Sequence, residues 1–140
     1  MSSLRWDEVR AITRRPVEGL SARDIPNAPG VYVWFREGEP VYVGEARGAG
    51  GLRGRLRAHL ATGVDLSRST LRASVAVKEL GISRAHARSR PSHVTPDQVE
   101  AVNRWLRSCD LGWVTCDTAD GAHELEARLR AEWLPPLNRL

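Results

Sequence analysis

One stretch of this chain leaves few folds open. Residues 31–35 read Val-Tyr-Val-Trp-Phe and residues 41–43 read Val-Tyr-Val. Both runs are β-branched or aromatic, the composition of strands. Arg36-Glu37-Gly38 lies between them. A three-residue loop with glycine in the left-handed position closes a hairpin through a type I turn and a bulge. That turn predicts Phe35 opposite Glu39, and hence Tyr32 opposite Tyr42. Alternation along a strand puts both phenols on one face. Gly44 ends the second run, a glycine-rich link follows, and a helix is predicted from about Leu52. Leu52, Leu56 and Leu60 recur at every fourth position and form its buried stripe. Arg55 and His59 flank that stripe on one side, Arg53 and Arg57 on the other. The first pair is placed to lean over the sheet surface that carries the tyrosines.

A chain of 140 residues has room for one domain around one core, so 1–140 is read as a single unit. No apolar run approaches the length a membrane helix needs. The N-terminus is charged throughout and lacks a signal-peptide core. A cytoplasmic protein away from membranes is the expectation. Cys109 and Cys116 have neither a C-x-x-C spacing nor a histidine partner in a zinc pattern. They read as partly buried thiols around a strand.

Charge narrows the class of partner. The chain is net +4, but residues 47–107 hold 12 Lys+Arg against 4 Asp+Glu, a net +8 that leaves −4 for the remainder. Lys78 is the only lysine. Guanidinium forks match phosphate oxygens bidentately, where an ammonium offers a point charge. The asymmetry points to a polyanion, nucleic acid above all. The competing reading is a solvated surface rich in arginine through codon bias.

In chain order, Leu4 to about Ile12 is predicted as an amphipathic helix stopped by Arg14-Arg15-Pro16, and Leu20 to Pro29 as a connector. Residues 1–28 thus precede the hairpin. Thr62 to Ser69 reads as loop, Thr70 to Leu80 as a helix ended by Gly81. Ile82 to His93 is irregular and basic, with Arg84, His86, Arg88, Arg90 and His93. Thr95-Pro96-Asp97-Gln98 is a capping box with proline at the first helical position, and Val99, Val102 and Leu106 line the helix that follows. Trp113 to Thr115 is predicted as a short third strand. Asp120 is expected to cap the last helix, whose apolar stripe is Ala122, Leu125, Leu129 and Trp133, with Glu126 on its edge. Pro135-Pro136 ends it. The fold class is therefore α+β: a small three-stranded antiparallel sheet flanked by helices, with residues 62–108 as a helical insertion before the third strand.

At this point the chain resembles the GIY-YIG nucleases. The two tripeptides of that name stand here as Gly30-Val31-Tyr32 and Tyr42-Val43-Gly44. The family's helical arginine, with a His or Tyr four residues on, corresponds to Arg55 and His59. Its late helical glutamate, followed by a proline and an asparagine, corresponds to Glu126, Pro135 and Asn138. Each tripeptide alone is weak; the ordered set spans Gly30 to Asn138, most of the chain.

The resemblance implies a metal-dependent endonuclease cutting DNA and leaving 3′-hydroxyl and 5′-phosphate ends. It implies catalytic roles for Tyr32, Tyr42, Arg55, His59 and Glu126. Glu126 would be the ligand of Mg²⁺ or Mn²⁺, since hard cations take oxygen donors. Arg55 would take up charge on the scissile phosphate. Tyr32 or Tyr42, or a water it activates, would be the general base. A phenol near pKa ~10 needs a cation beside it to ionise. His59 would carry a proton or hold phosphate. Gly30, Gly44 and Asn138 would support the site. Arg53, Arg57, Arg84, Arg88 and Arg90 are the candidate substrate contacts, with substrate choice expected in Thr70 to Arg107.

Taken singly, each residue also has a plain structural reading. Tyrosines pack across strands, Glu126 pairs with Arg130 four residues on, and Glu132 is a rival carboxylate on the other flank. One departure stands out: many relatives have lysine just after the second tripeptide, where this chain has Glu45. An anion there opposes ionisation of a tyrosine. A binding module that kept the fold and lost catalysis, and a basic adaptor in a repair complex, are the alternatives.

Overall fold

The structure is a computed structural model that describes residues 4–140. Its helices are α1 (Trp6–Val9), α2 (Gly51–Leu60), α3 (Thr70–Leu80), α4 (Arg84–Ala87), α5 (Pro96–Arg107) and α6 (Ala119–Glu132), with 3₁₀ turns at Ala22–Asp24 and Pro136–Arg139. Among the described residues four strands form one antiparallel sheet: β1 (Arg15–Pro16), β2 (Gly30–Arg36), β3 (Glu39–Ala46) and β4 (Asp110–Thr115), in the order β1-β4-β2-β3.

The expected three strands are therefore four. β1 has two residues and pairs Arg15 with Leu111 and Pro16 with Asp110. Nothing in two residues marks a strand, and proline in it is tolerated because β1 is an edge. β4 starts at Asp110, three residues before the predicted Trp113. Asp110 and Gly112 hide the strand pattern, yet Leu111 is fully buried opposite Trp34.

The hairpin register also differs from expectation. Glu37 and Gly38 both take positive φ, 54° and 83°, so the turn has two residues and Arg36 faces Glu39. The extra residue is Val41 of β3, at a bulge opposite Trp34 and Phe35, after which Trp34 faces Tyr42 and Tyr32 faces Gly44. The tyrosines are diagonal neighbours rather than a direct pair. They keep the same face because both shifts together restore the parity of the alternation.

Each face of the sheet builds its own core. Tyr32, Trp34 and Tyr42 pack with Leu52 and Leu56 of α2, Leu71 and Val75 of α3, and Val102 and Leu106 of α5. Val31, Val33, Phe35 and Val43 pack with Trp6, Val9, Leu125 and Leu129. On this second face the Trp6 indole N–H donates to the carbonyls of Leu129, at 2.8 Å, and Trp133, at 3.1 Å. The N-terminal helix thus fastens the last turn of α6.

Helix ends follow their chemistry. Thr95 and Gln98 make the predicted capping box of α5. α3 ends at Gly81 in the left-handed conformation. The cap of α6 is Thr118, whose hydroxyl accepts from Gly121 N, rather than the expected Asp120. Asp120 instead sits in the first turn, where its charge favours the positive helix end. α1 is shorter than Leu4–Ile12, although Ile12 still packs on the second core.

Candidate active site

The site grows out of the diagonal Tyr32–Tyr42 pair. A Cβ on Gly44 would overlap the Tyr32 phenol, so the missing side chain lets Tyr32 lie across its neighbour strand. The two rings stand 6.4 Å apart between centroids. Gly30 serves packing in the same way, since a Cβ there would come within 2.8 Å of Leu52. α2 begins at Gly51, whose φ is +58°; a side chain there would run into the Ala28 backbone. The glycine link therefore sets where α2 starts and which way its stripe faces.

That stripe carries more than leucine. Leu52 and Leu56 are fully buried, Leu60 is half-buried, and His59 is buried at 1% exposure. His59 Nε2 lies 2.7 Å from Tyr32 Oη, and His59 Nδ1 lies 2.6 Å from Ser69 Oγ. Both ring nitrogens are engaged, so the ring has none left for a phosphate. Burial, with Arg55 and Arg72 nearby, pushes the His59 pKa down to about 3. Burial thus favours the neutral ring.

Burial likewise pushes the Tyr32 phenol well above its ordinary range, helped by Tyr42 and Glu126. Arg55 opposes this through its charge. Tyr42 is raised by burial and by Glu126, with Arg55, Arg130 and Arg84 acting against it. Three arginines from α2, α6 and α4 thus bear on one phenol. Arg55 is the nearest cation in effect for both tyrosines.

Glu126 approaches from α6, which packs on the opposite face of the sheet, and its charge still bears on both phenols. The carboxylate is half-buried. Burial and the neighbouring Glu45 raise its pKa, while Arg130 and His123 lower it. Glu45 is held by His123 Nδ1 at 3.0 and 3.2 Å and by Arg47 at 3.7 Å. A half-buried carboxylate beside a second one is short of positive charge, which suits a hard divalent cation. Among the described residues no three His, Cys, Asp or Glu converge on one point. The donor set fits a cation held by one protein carboxylate, with water and phosphate oxygens completing its shell. Glu132, the rival carboxylate, faces Arg5 at 3.8 Å and the Trp6 backbone N–H at 3.5 Å instead.

Asn138 braces the edge strand. Its Oδ1 accepts from Val43 N at 2.8 Å and its Nδ2 donates to Val43 O at 2.9 Å. One amide therefore mimics the next strand of the sheet at the residue between Tyr42 and Gly44.

The substrate-contact candidates are scattered. Arg53 Nε donates to Ile25 O at 2.8 Å, tying α2 to the connector, while Arg57 is exposed. Arg84 reaches Ser74 Oγ at 3.2 Å, Arg88 reaches Ser67 O at 3.2 Å and Arg90 Nε reaches Ser67 Oγ at 2.7 Å. This basic loop folds back onto the start of α3, and Arg84 borders the site. A hollow of ≈ 200 Å³ lies beside Arg55, walled by Gly48, Gly50, Gly51 and Gly54 with Arg47 at its rim.

Ser69 and Arg130 are not among the sequence candidates. Ser69 is visible as the cap of α3, but no local pattern reveals its bond to a histidine ten residues earlier. Arg130 reads as an ordinary i+4 partner of Glu126. Both cysteines are free, Cys109 buried and Cys116 half-buried, as expected.

No helix among the described residues is long and apolar enough to cross a membrane. Neither a curated protein nor a solved structure gives a match to the chain. A family model does: the GIY-YIG catalytic domain, over residues 30–139. That match takes in both tyrosines, the α2 Arg–His pair, Glu126 and Asn138, and the chain belongs to the GIY-YIG family of nuclease catalytic domains.

Proposed function

We propose that this protein is a metal-dependent endonuclease hydrolysing phosphodiester bonds in DNA, with Tyr32, Tyr42, Arg55, His59 and Glu126 as its active-site residues. The observation that carries this reading is the meeting of two phenols, a guanidinium and a neutral imidazole on one patch within the electrostatic reach of Glu126.

Glu126 would hold Mg²⁺ or Mn²⁺, which when bound polarises the phosphate and stabilises the leaving oxygen. Arg55 faces the phenols from α2 and would bind the scissile phosphate as negative charge builds on it. Its charge works against the burial that raises both phenols, and Tyr32 is assigned as the base that takes a proton from the attacking water. The glycine-walled hollow beside Arg55 gives a phosphate backbone room to approach, with Arg47 at its mouth. Arg84, Arg88 and Arg90, with Arg53 and Arg57, would bind phosphates further along the strand.

A second reading has one observation in its favour. Glu45 stands where many relatives carry lysine, and its charge works against ionisation of Glu126. A domain that binds nucleic acid and cuts it weakly would look like this.

Supercoiled, nicked, branched and single-stranded DNA incubated with and without Mg²⁺ or Mn²⁺ decides between them. The nuclease reading expects nicking that appears with the metal and disappears with EDTA. Binding without any nicking under either metal would favour the second reading.

A further inference from the structure

The two edges of the sheet are finished differently. Successive residues of an antiparallel strand turn their N–H and C=O to opposite sides. On β3 the outward groups of Val43 are both taken by Asn138. β4 pairs with β2 on its inner side, and Cys116 N donating to Pro29 O fixes the parity. Asp110, Gly112 and Val114 therefore turn toward β2, while Leu111, Trp113 and Thr115 turn away. On that outer side Cys109 O accepts from Val17 N, and β1 pairs with β4 only as far as Leu111. Past Leu111, Trp113 and Thr115 each offer an outward N–H and C=O that meet no partner among the described residues.

The ground beside this edge is open. A hollow of ≈ 290 Å³ lies among Thr13, Arg15, Leu111 and Trp113, beside the point where β1 stops. A larger one, ≈ 480 Å³, takes in Val114 and Thr115 and is bounded by Asp117, Asp120 and Glu124. All three acidic residues are exposed, and none joins an ion pair among the described residues. Charge beside an edge can serve to keep strands away. Carboxylates do so against every strand except one of opposite charge. Backbone groups at strand spacing call for another extended backbone, and the carboxylates at its flank call for cationic side chains. A nucleic acid would be repelled here. A second copy of this chain matches poorly, because its basic loop is folded with Arg88 and Arg90 on Ser67.

We propose that the outer edge of β4, from Trp113 to Thr115, docks an extended arginine- or lysine-rich segment of a partner protein by strand addition. Asp117, Asp120 and Glu124 receive its cationic side chains. The surface uses none of the candidate active-site residues, and the proposal does not rest on the nuclease reading.

A short synthetic peptide of alternating arginine and valine, added to the full-length protein at low salt, is the probe. Amide NMR should show shifts centred on Trp113, Thr115 and Asp117, with slowed exchange of the Trp113 and Thr115 amides. Thr115→Pro removes one outward N–H and leaves the ladder to β2 intact, since an edge tolerates proline on its open side. It should weaken the peptide about 10-fold, the loss of one such bond, with the melting temperature near the parent's. A second arm leaves the protein untouched: the same peptide N-methylated at alternate residues keeps its charge and cannot pair, and it should lose its affinity. Asp117→Asn, Asp120→Asn and Glu124→Gln together should also weaken the parent peptide about 10-fold. Equal affinity for the N-methylated peptide would mean that charge alone is read, and would overturn strand addition. Equal affinity for a glutamate–valine peptide would overturn the choice of a basic partner. Edge amides protected without peptide, in a dimer that forms as concentration rises, would make a second copy the occupant and overturn it as well. So would the absence of any binding by the arginine peptide.

Discussion

On one face of the sheet, Val31, Val33, Phe35 and Val43 meet Trp6, Val9, Leu125 and Leu129, and the groups that touch are nearly all hydrocarbon. On the other, Tyr32 and Tyr42 share the interior with His59, Ser69 and Arg72, each almost wholly out of water. Both faces come from the same two strands, separated only by the alternation of side chains. The first face is held by transfer of apolar area, which is tolerant of exact geometry. The second buries hydroxyls, an imidazole and a guanidinium, each needing a partner in a set place. Arg72 shows how hard that demand is to meet. Its Nη2 bonds Gly63 O and Asn103 Oδ1, while its buried Nε has no partner. Both faces bury apolar side chains, but only the second spends some of that stability on a fixed constellation.

The largest expected break in this comparison is loss of chemistry without loss of fold. Glu126→Ala and Arg55→Ala should each lower cleavage by about 10²–10³-fold or more, with the unfolding midpoint close to the parent's. Glu132→Ala, whose carboxylate serves Arg5 and Trp6, should keep its activity. Full activity in Glu126→Ala at normal stability would end its assignment as the metal ligand. The mirror image lies on the apolar face. Leu129→Ala should cost about 2–5 kcal/mol in denaturant unfolding while the rate per folded molecule holds. A matching fall in rate per folded molecule would show that the faces are not separable.

A subtler separation concerns Glu126 itself. Its pKa is raised in the fold, so the folded state holds that proton to higher pH than the unfolded chain does. The stabilising contribution is present below the unfolded value and is lost as pH rises through the folded one. At neutral pH and without metal, Glu126 therefore weakens the fold. Glu126→Gln should raise the melting temperature at pH 7, with the gain vanishing near about pH 4. No gain at pH 7 would mean the site is not short of positive charge. The smallest effect belongs to the basic loop. Replacing Arg84, Arg88 and Arg90 with alanine should make the log affinity–log salt slope shallower by up to about 0.9 for each phosphate no longer neutralised. An unchanged slope would confine that loop to holding α3.

What can be read from sequence tracks the same division. Periodicity locates the hairpin, α3, α5 and α6, because apolar burial leaves a repeating trace. The tyrosines, Arg55 and His59 converge because strand alternation and helix spacing are both local rules. The register is not legible: the two-residue turn depends on Glu37 adopting positive φ, which glutamate rarely does, and the bulge offsets it. β1 is too short to leave a pattern. Ser69 lies beyond reach because its role depends on where the chain returns after the loop. The meeting of Glu126 with Glu45 is likewise a property of packing.

The Trp6 indole, bonded to the carbonyls that close α6, bears on how portable the catalytic unit is. The matched region begins at residue 30, yet the helix bearing Glu126 is clasped from residue 6, and β4 has its outer edge covered by residues 15 and 16. A graft cut at the family boundary would carry every candidate site residue and still take Trp6 and Val9 out of the core that Val31, Val33 and Phe35 share. The transferable cassette is larger than the signature that identifies it.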